Sequence, residues 1–348
     1  MRVLITGGAG FIGSNTAADL VRRGHDVTVL DNLSRAGAGA NLRWIETQGE
    51  ARFIRADVRD AAAVGAALET HRPEAVIHLA AQVAVTTSVD DPRSDFEVNA
   101  LGTLNVLEAV RASAEPPLVI YASTNKVYGA LEDIACRAEG GRYRCALDGV
   151  GIDERRPLDF HSPYGCSKGA ADQYVRDYSR IYGLRTVVLR QSCIYGERQF
   201  GVEDQGWLAW FVIAALLGRP VTVYGDGLQV RDVLEVSDLV ELYRRCLEQP
   251  DAVAGQVLNV GGGPGSTLSV REALDLVEGE TGVSLERRSA SWRPGDQRVF
   301  IACNDEAQRR LAWQPRVGVR DGLPRLVGWI RSNLDVIRGI AASRQKTE

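Results

Sequence analysis

Arg2-Val3-Leu4-Ile5-Thr6 runs directly into Gly7-Gly8-Ala9-Gly10-Phe11-Ile12-Gly13, and this junction constrains the fold more than any other segment. The apolar run has the continuous hydrophobicity of a strand buried on both faces of a parallel sheet. A helical pattern follows to Arg23, Gly24 stops it, and residues 26–30 form a second strand. Within this strand–turn–helix–strand unit, Gly7 permits the tight turn and Gly10 lets the backbone approach a pyrophosphate. Gly13 lets the helix pack on the strand. The helix N-terminus then aims free N–H groups at the anion. Asp31 ends the second strand, where a carboxylate suits the adenosine ribose of a dinucleotide and favours NAD over NADP. Arg35 nearby leaves a 2′-phosphate open.

The same rhythm continues. Residues 52–56, 75–79, 118–122 and 186–189 read as strands, each ending in a small or polar turn. The recurring order implies an α/β fold with a doubly wound parallel sheet of the Rossmann type and ligands at the carboxyl ends of its strands. Residues 130–156 break the rhythm and read as an insertion over the site mouth, suited to a lid. Beyond Glu197 the pattern is mixed, with a further strand at 257–260. These shifts divide the chain into a dinucleotide-binding domain (1–188 and 230–262) and a smaller, discontinuous C-terminal substrate lobe (189–229 and 263–342). Residues 343–348 read as a polar tail.

Composition excludes several classes. A net charge of −4 over 348 residues offers no electrostatic footprint for nucleic acid. The longest apolar run, residues 207–217, is too short to span a bilayer and predicts a core helix. The sequence opens on a strand without a signal-peptide pattern, so a cytoplasmic location is expected. Six cysteines form no CxxC pair and histidines number four, which argues against a metal site. Reduced thiols are expected. Cys136 and Cys145 flank a polar loop and could pair only if geometry allowed.

Tyr164-Gly165-Cys166-Ser167-Lys168 places a phenol and an ammonium on one helix face. A neighbouring ammonium favours the phenolate, predicting a lowered tyrosine pKa and a general base near neutral pH. Thr124, after a central strand, could hold the reacting oxygen; a turn hydroxyl is the plainer alternative.

With the glycine-rich turn, Thr124 and the Tyr164/Lys168 pair together, the chain resembles the extended short-chain dehydrogenase/reductase family, the NAD-dependent nucleotide-sugar epimerases and dehydratases. Three segments resemble its branch of CDP-hexose 2-epimerases: residues 123–129, residues 158–174, and Tyr195-Gly196-Glu197-Arg198-Gln199-Phe200 with residues 204–207. The resemblance implies hydride-transfer chemistry at Thr124, Tyr164 and Lys168. It implies pyrophosphate contacts at Gly7, Gly10, Phe11, Ile12 and Gly13, ribose contacts at Asp31 and Asn32, and adenine contacts at Asp57 and Val58. Ala80, Ala81, Gln82 and Asn99 would line the cofactor path. Arg231 and Arg293 would neutralise the substrate diphosphate, with Asp296 on the nucleotide side. A homodimer built on helices near 101–112 and 164–181 is also implied.

Asn125 and Lys126 refine this reading. In the related dehydratases the two residues after this Thr are an Asp and a Glu that remove water. An amide donates no catalytic proton near pH 7 and a lysine reverses the charge, so dehydration is disfavoured. Asn125 is then a substrate contact, and Lys126 facing solvent is the plainer alternative. Cys193 stands where many relatives have Asn. Cys166 reads as packing, and Trp207 and Trp210 as core or interface. The expected function is epimerisation at carbon 2 of a CDP-hexose with tightly held NAD. The alternatives are a 4-epimerase of another nucleotide hexose or hexuronate and a non-catalytic NAD-binding regulator.

Overall fold

The computed structural model describes residues 1–147, 149–293 and 295–344. Seven parallel strands form the central sheet: β1 (Arg2–Thr6), β2 (Asp26–Asp31), β3 (Ala51–Arg55), β4 (Ala75–His78), β5 (Leu118–Thr124), β6 (Thr186–Gln191) and β7 (Gln256–Val260). Their order is β7-β6-β5-β4-β1-β2-β3. The order reverses between β1 and β4, and the crevice at such a switch point is where open α/β sheets bind ligands.

Alternation along each strand builds two cores. Val3 and Ile5 face one side with Val29, Ile77 and Leu189, packed against the helices Phe11–Arg22 (α1) and Val236–Glu248. Leu4, Val76, Val119 and Val188 face the other, under Val106 and Val175 of two further helices. The inner strands are covered on both faces, so the continuous apolar runs seen in the sequence are required, while the edge strand β3 is only partly buried.

The smaller lobe has its own core around the helix Trp207–Leu217, which is apolar all round as its composition predicts. The strand Val230–Glu235 pairs with Cys193–Tyr195, Thr267–Ser269 and Val299–Phe300. The expected boundary at 230 put this strand with the dinucleotide-binding domain, yet it hydrogen-bonds in the smaller sheet; the chain returns to the large sheet only with Val236–Glu248. Likewise β6 runs through the expected boundary at 188 to Gln191. The expected tail begins inside a helix, Leu334–Arg344; its last four residues, 345–348, lie outside the described ones.

The 130–156 insertion departs furthest from expectation. It contains an antiparallel hairpin, Cys136–Glu139 against Arg142–Cys145, whose register sets Cys136 opposite Cys145 with their Cα atoms 4.5 Å apart. The two are joined by a disulfide, so reduced thiols are the wrong expectation for this pair; the other four cysteines are free. Tyr143 N–H donates to Leu228 O at 2.9 Å, and Arg142 Nη2 donates to Thr267 Oγ1 at 2.7 Å. Anchored to the smaller lobe in this way, no described residue of 130–156 borders the ligand cavity, and the insertion is not a lid.

The helix Ser162–Tyr182 lies against β5 and β6 and carries Tyr164 and Lys168. It is fixed by a buried ion pair. Arg190 on β6 donates Nε and Nη2 to the two oxygens of Asp172, each at 2.9 Å. Both side chains are buried, and Ser123 Oγ on β5 donates to Asp172 at 2.7 Å. Removing one partner would strand the other charge. We predict that Asp172→Ala destabilises the fold by about 3–5 kcal/mol, measured by urea denaturation; a change under about 0.5 kcal/mol, the scale of an ordinary surface substitution, would show that the pair does not fix the helix.

Candidate functional site

A continuous cavity of about 850 Å³ runs over the carboxyl ends of the strands and under the smaller lobe. One end is shaped by the glycine-rich turn. Gly7 has φ +67°, and a Cβ there would stand 2.6 Å from Ala80 N; one on Gly13 would stand 2.4 Å from Gly7 O. Only glycine allows so close an approach of helix and strand. The carboxylate of Asp31 accepts the N–H of Ala9 at 3.0 Å and of Leu33 at 2.7 Å, tying the turn to the end of β2. Burial raises its pKa. Asn32 Nδ2 donates to Asp57 at 2.9 Å, and hydrogen bonds from Arg59 hold the Asp57 carboxyl down to about 2. Gly10, Phe11, Ile12, Asp31, Asn32, Asp57, Val58, Ala80, Ala81 and Gln82 all border the cavity.

Asn99 does not border it. It lies behind, 1% exposed, in a π-helical turn, Glu97–Leu101. There it accepts Gln82 N–H at 2.9 Å and donates to Gln82 O at 3.0 Å, fixing the backbone that does face the cavity. Asp95 completes this knot through Gln82 Nε2 and Ser167 Oγ. The sequence reading missed Asp95 because nothing local marks it.

At the reacting end, Thr124, Tyr164 and Lys168 converge, all buried. The Thr124 hydroxyl lies near enough to the Tyr164 phenol to favour its ionised form, donates to Asn125 Oδ1 at 3.4 Å and accepts Lys126 N–H at 3.2 Å. Lys168 Nζ donates to Ala122 O at 2.6 Å and sits 4.3 Å from the centre of the Tyr121 ring. The electrostatics correct the expectation of a lowered phenol. Burial pushes Tyr164 up to about 12, with the Thr124 hydroxyl opposing, and pushes Lys168 down to about 7 against the pull of Asp172 and Asp95. The protein alone gives a neutral phenol; the ammonium by itself does not ionise it.

The substrate end is lined by charges from both lobes. Asn125 Nδ2 donates to Gln297 Oε1 at 3.2 Å. Lys126 does not face solvent: it borders the cavity, and its Nζ donates to Asp296 Oδ1 and Gly295 O, each at 3.4 Å. Arg231 Nη2 donates to Asp296 Oδ1 at 2.6 Å. Burial works to raise the Asp296 carboxyl, yet Arg231 and Lys126 hold it below its ordinary value. Arg293 stacks 3.9 Å from the Tyr224 ring centre and donates to Asp204 at 2.9 Å. Both arginines therefore reach the cavity with a carboxylate at hand. Cys193 borders it too, its thiol raised by burial. Trp207 and Trp210 also line it, so they are not merely core, while Cys166 is exposed rather than packed. The side-chain oxygens of Gln199, Gln205 and Gln229, which line the same space, are buried without a partner. Such groups carry an unmet cost that a polar ligand relieves. Among the described residues no cluster of three His, Cys, Asp or Glu could hold a metal, and no helix is long and apolar enough to cross a membrane.

The profile of the NAD-dependent epimerase/dehydratase family matches residues 3–261. The chain belongs to that family. It is 44% identical to the CDP-paratose 2-epimerase of Salmonella typhi over 95% of this chain and all of that protein. Among solved structures it resembles the UDP-glucose 4-epimerase of Thermus thermophilus in complex with NAD (35% identity, TM-score 0.79, covering 95% of this chain and 99% of that one). It also resembles a double mutant of dTDP-glucose 4,6-dehydratase from Streptomyces venezuelae with NAD bound (30% identity, TM-score 0.85, covering 98% and 100%).

NAD is the cofactor of this family, and the cavity fits it. The glycine turn leaves no Cβ between backbone and a pyrophosphate, and α1 begins at Gly10 without a side-chain cap, so its first N–H groups are open to an anion. The Lys168 shift has a sign that can be checked on the cofactor-free protein. Its folded pKa, about 7, lies below the unfolded value of about 10.5, so the unfolded chain binds more protons between those limits. Stability from this residue therefore rises as pH climbs from 7 toward 10. Melting curves should show wild type gaining on Lys168→Met across that window; a pH-independent difference would contradict the buried ammonium.

Proposed function

We propose that this protein inverts carbon 2 of a CDP-activated hexose through a transient 2-keto sugar. The reading rests on the 44% identity to a CDP-paratose 2-epimerase across nearly the whole of both chains. Two features of the cavity support it: an amide and an ammonium, Asn125 and Lys126, follow Thr124 where dehydration requires an acid and a base, and both arginines reach the space beyond them.

Thr124 orients the reacting hydroxyl and Tyr164 takes its proton. When bound, NAD would supply the hydride acceptor and a positive charge that favours the ionised phenol. Lys168, held by Ala122 O, supplies a further positive charge and would help to hold the cofactor. Arg231 and Arg293 grip the diphosphate bidentately, displacing their own carboxylates, while the keto sugar turns to present its other face. Tyr164 then returns the proton. The reaction has no net redox change, so NAD stays bound from one turnover to the next.

The same residues would serve a 4-epimerase with the sugar placed differently, as the similarity to a UDP-glucose 4-epimerase of Mycolicibacterium smegmatis (34% identity over 95% of this chain) keeps in view. We further propose a cytoplasmic homodimer. Tyr174, Ile181 and Tyr182 are at least half exposed on the helix Ser162–Tyr182, an apolar face suited to a second copy.

Incubation with CDP-, GDP- and UDP-hexoses, read by NMR, should show inversion at carbon 2 and best turnover with a CDP-sugar. Tyr164→Phe should lower turnover by about 10²–10⁴-fold while retaining NAD. No carbon-2 inversion on any of the sugars, or an unimpaired Tyr164→Phe, would overturn the proposal.

A further inference from the structure

Glu197 to Phe200 form a strap that leaves the smaller lobe and crosses onto the dinucleotide-binding domain. It is fastened to both of the first two helices. Asn15 on α1 donates to Glu197 O at 3.0 Å, and Asn41 on the helix Ala38–Glu46 (α2) donates to Arg198 O at 3.3 Å. The Phe200 ring closes on Gly37, where a Cβ would stand 2.2 Å from it. These helices flank the glycine-rich turn, so the strap lies across the cofactor end of the cavity.

Arg198 is the unusual residue of the strap. Its φ is +69°, a strained left-handed conformation for a non-glycine residue, of a kind that clusters at functional sites. Its guanidinium lies between two indoles, 4.1 Å from the Trp44 ring centre on α2 and 5.6 Å from that of Trp329 in the other lobe. Stacking satisfies the faces of the guanidinium but not its N–H donors, which lie in its plane. Nε is buried without a partner, and no hydrogen bond from this side chain is found among the described residues. Arg198 is among the residues that border the cavity, as are Ala38 and Asn41. Arg59, another cation at this end, is already committed to Asp57. A cation with unused donors, on a residue that borders the same cavity as the glycine turn, is suited to a doubly charged oxyanion.

We propose that Arg198 is a binding residue for the NAD pyrophosphate, reaching it from the substrate lobe opposite the glycine-rich turn, and that the strap it belongs to keeps the cofactor from leaving between turnovers. The inference rests on the NAD chemistry of the site and not on which sugar carbon reacts. Burial lowers the pKa of Arg198, in keeping with a cation that lacks its anion.

The test uses the full-length protein with Arg198→Met, which keeps a flexible apolar stem between the indoles, and Arg198→Lys, which keeps the charge without the fork. NAD content is measured after heat release, and NAD dissociation by dilution into a coupled dehydrogenase trap. Arg198→Met should release NAD at least tenfold faster, with its melting temperature in the absence of NAD close to wild type and the NAD-induced rise in melting temperature reduced; Arg198→Lys should fall between the two. Wild-type dissociation rates in both variants, or a loss of melting temperature in the absence of NAD with no change in NAD release, would overturn the proposal. A wild-type protein that holds NAD yet inverts no sugar would refute the proposed function alone, and the dissociation rates would still decide this one.

Discussion

The bidentate contact between Asp172 and Arg190 is the interaction on which the site depends. It joins the helix that carries Tyr164 and Lys168 to the middle of the sheet, at a place where neither charge can reach water. Arg190 also donates to Tyr128 OH at 3.0 Å, and Tyr128 donates to Asn259 Oδ1 on β7 at 2.7 Å. One guanidinium thus links β5, β6, β7 and the helix beneath the reacting residues. Asp172 does a second thing. It stands one helical turn from Lys168 and favours its charged form against burial. The pair therefore sets both the place of the phenol–ammonium couple and part of its electrostatics.

In the proposed mechanism, that electrostatic state gives the cofactor an acid–base role as well as a redox one. Desolvation drives Tyr164 and Lys168 toward their neutral forms, about 12 and about 7 respectively. A pocket left in this state holds a phenol too weak as a base. A positive charge brought next to the phenol would favour its ionised form, and in the proposed mechanism the hydride acceptor would supply one. In the proposed mechanism, proton removal from the hydroxyl oxygen and hydride removal from the carbon that bears it are thereby coupled, and each returns to its own atom.

Much of this was legible in the sequence, and for identifiable reasons. Gly7, Gly10 and Gly13 follow a strand at fixed spacing, so local geometry alone predicts the dinucleotide turn. Tyr164 and Lys168 share a helix face for the same reason, and the parallel, doubly wound sheet follows from alternating strands and helices, although its strand order does not. What escaped depends on distant contacts. Lys126 meets Asp296 across 170 positions, so the sequence could not show that it lines the cavity. Asn99 has the same residue type whether it faces a ligand or braces Gln82 from behind. The lone cysteines of 130–156 become a disulfide only because the hairpin register sets them opposite. The boundary at 230 missed because a buried strand reads alike in either sheet.

In the proposed mechanism one bound NAD removes and returns the same hydride at carbon 2 while Tyr164 handles the proton. A CDP-hexose deuterated at carbon 2 tests it most directly. The account predicts product inverted at carbon 2 with the deuterium still attached there and none in the water. Deuterium washed into solvent, or inversion at carbon 4 with carbon 2 untouched, would contradict it.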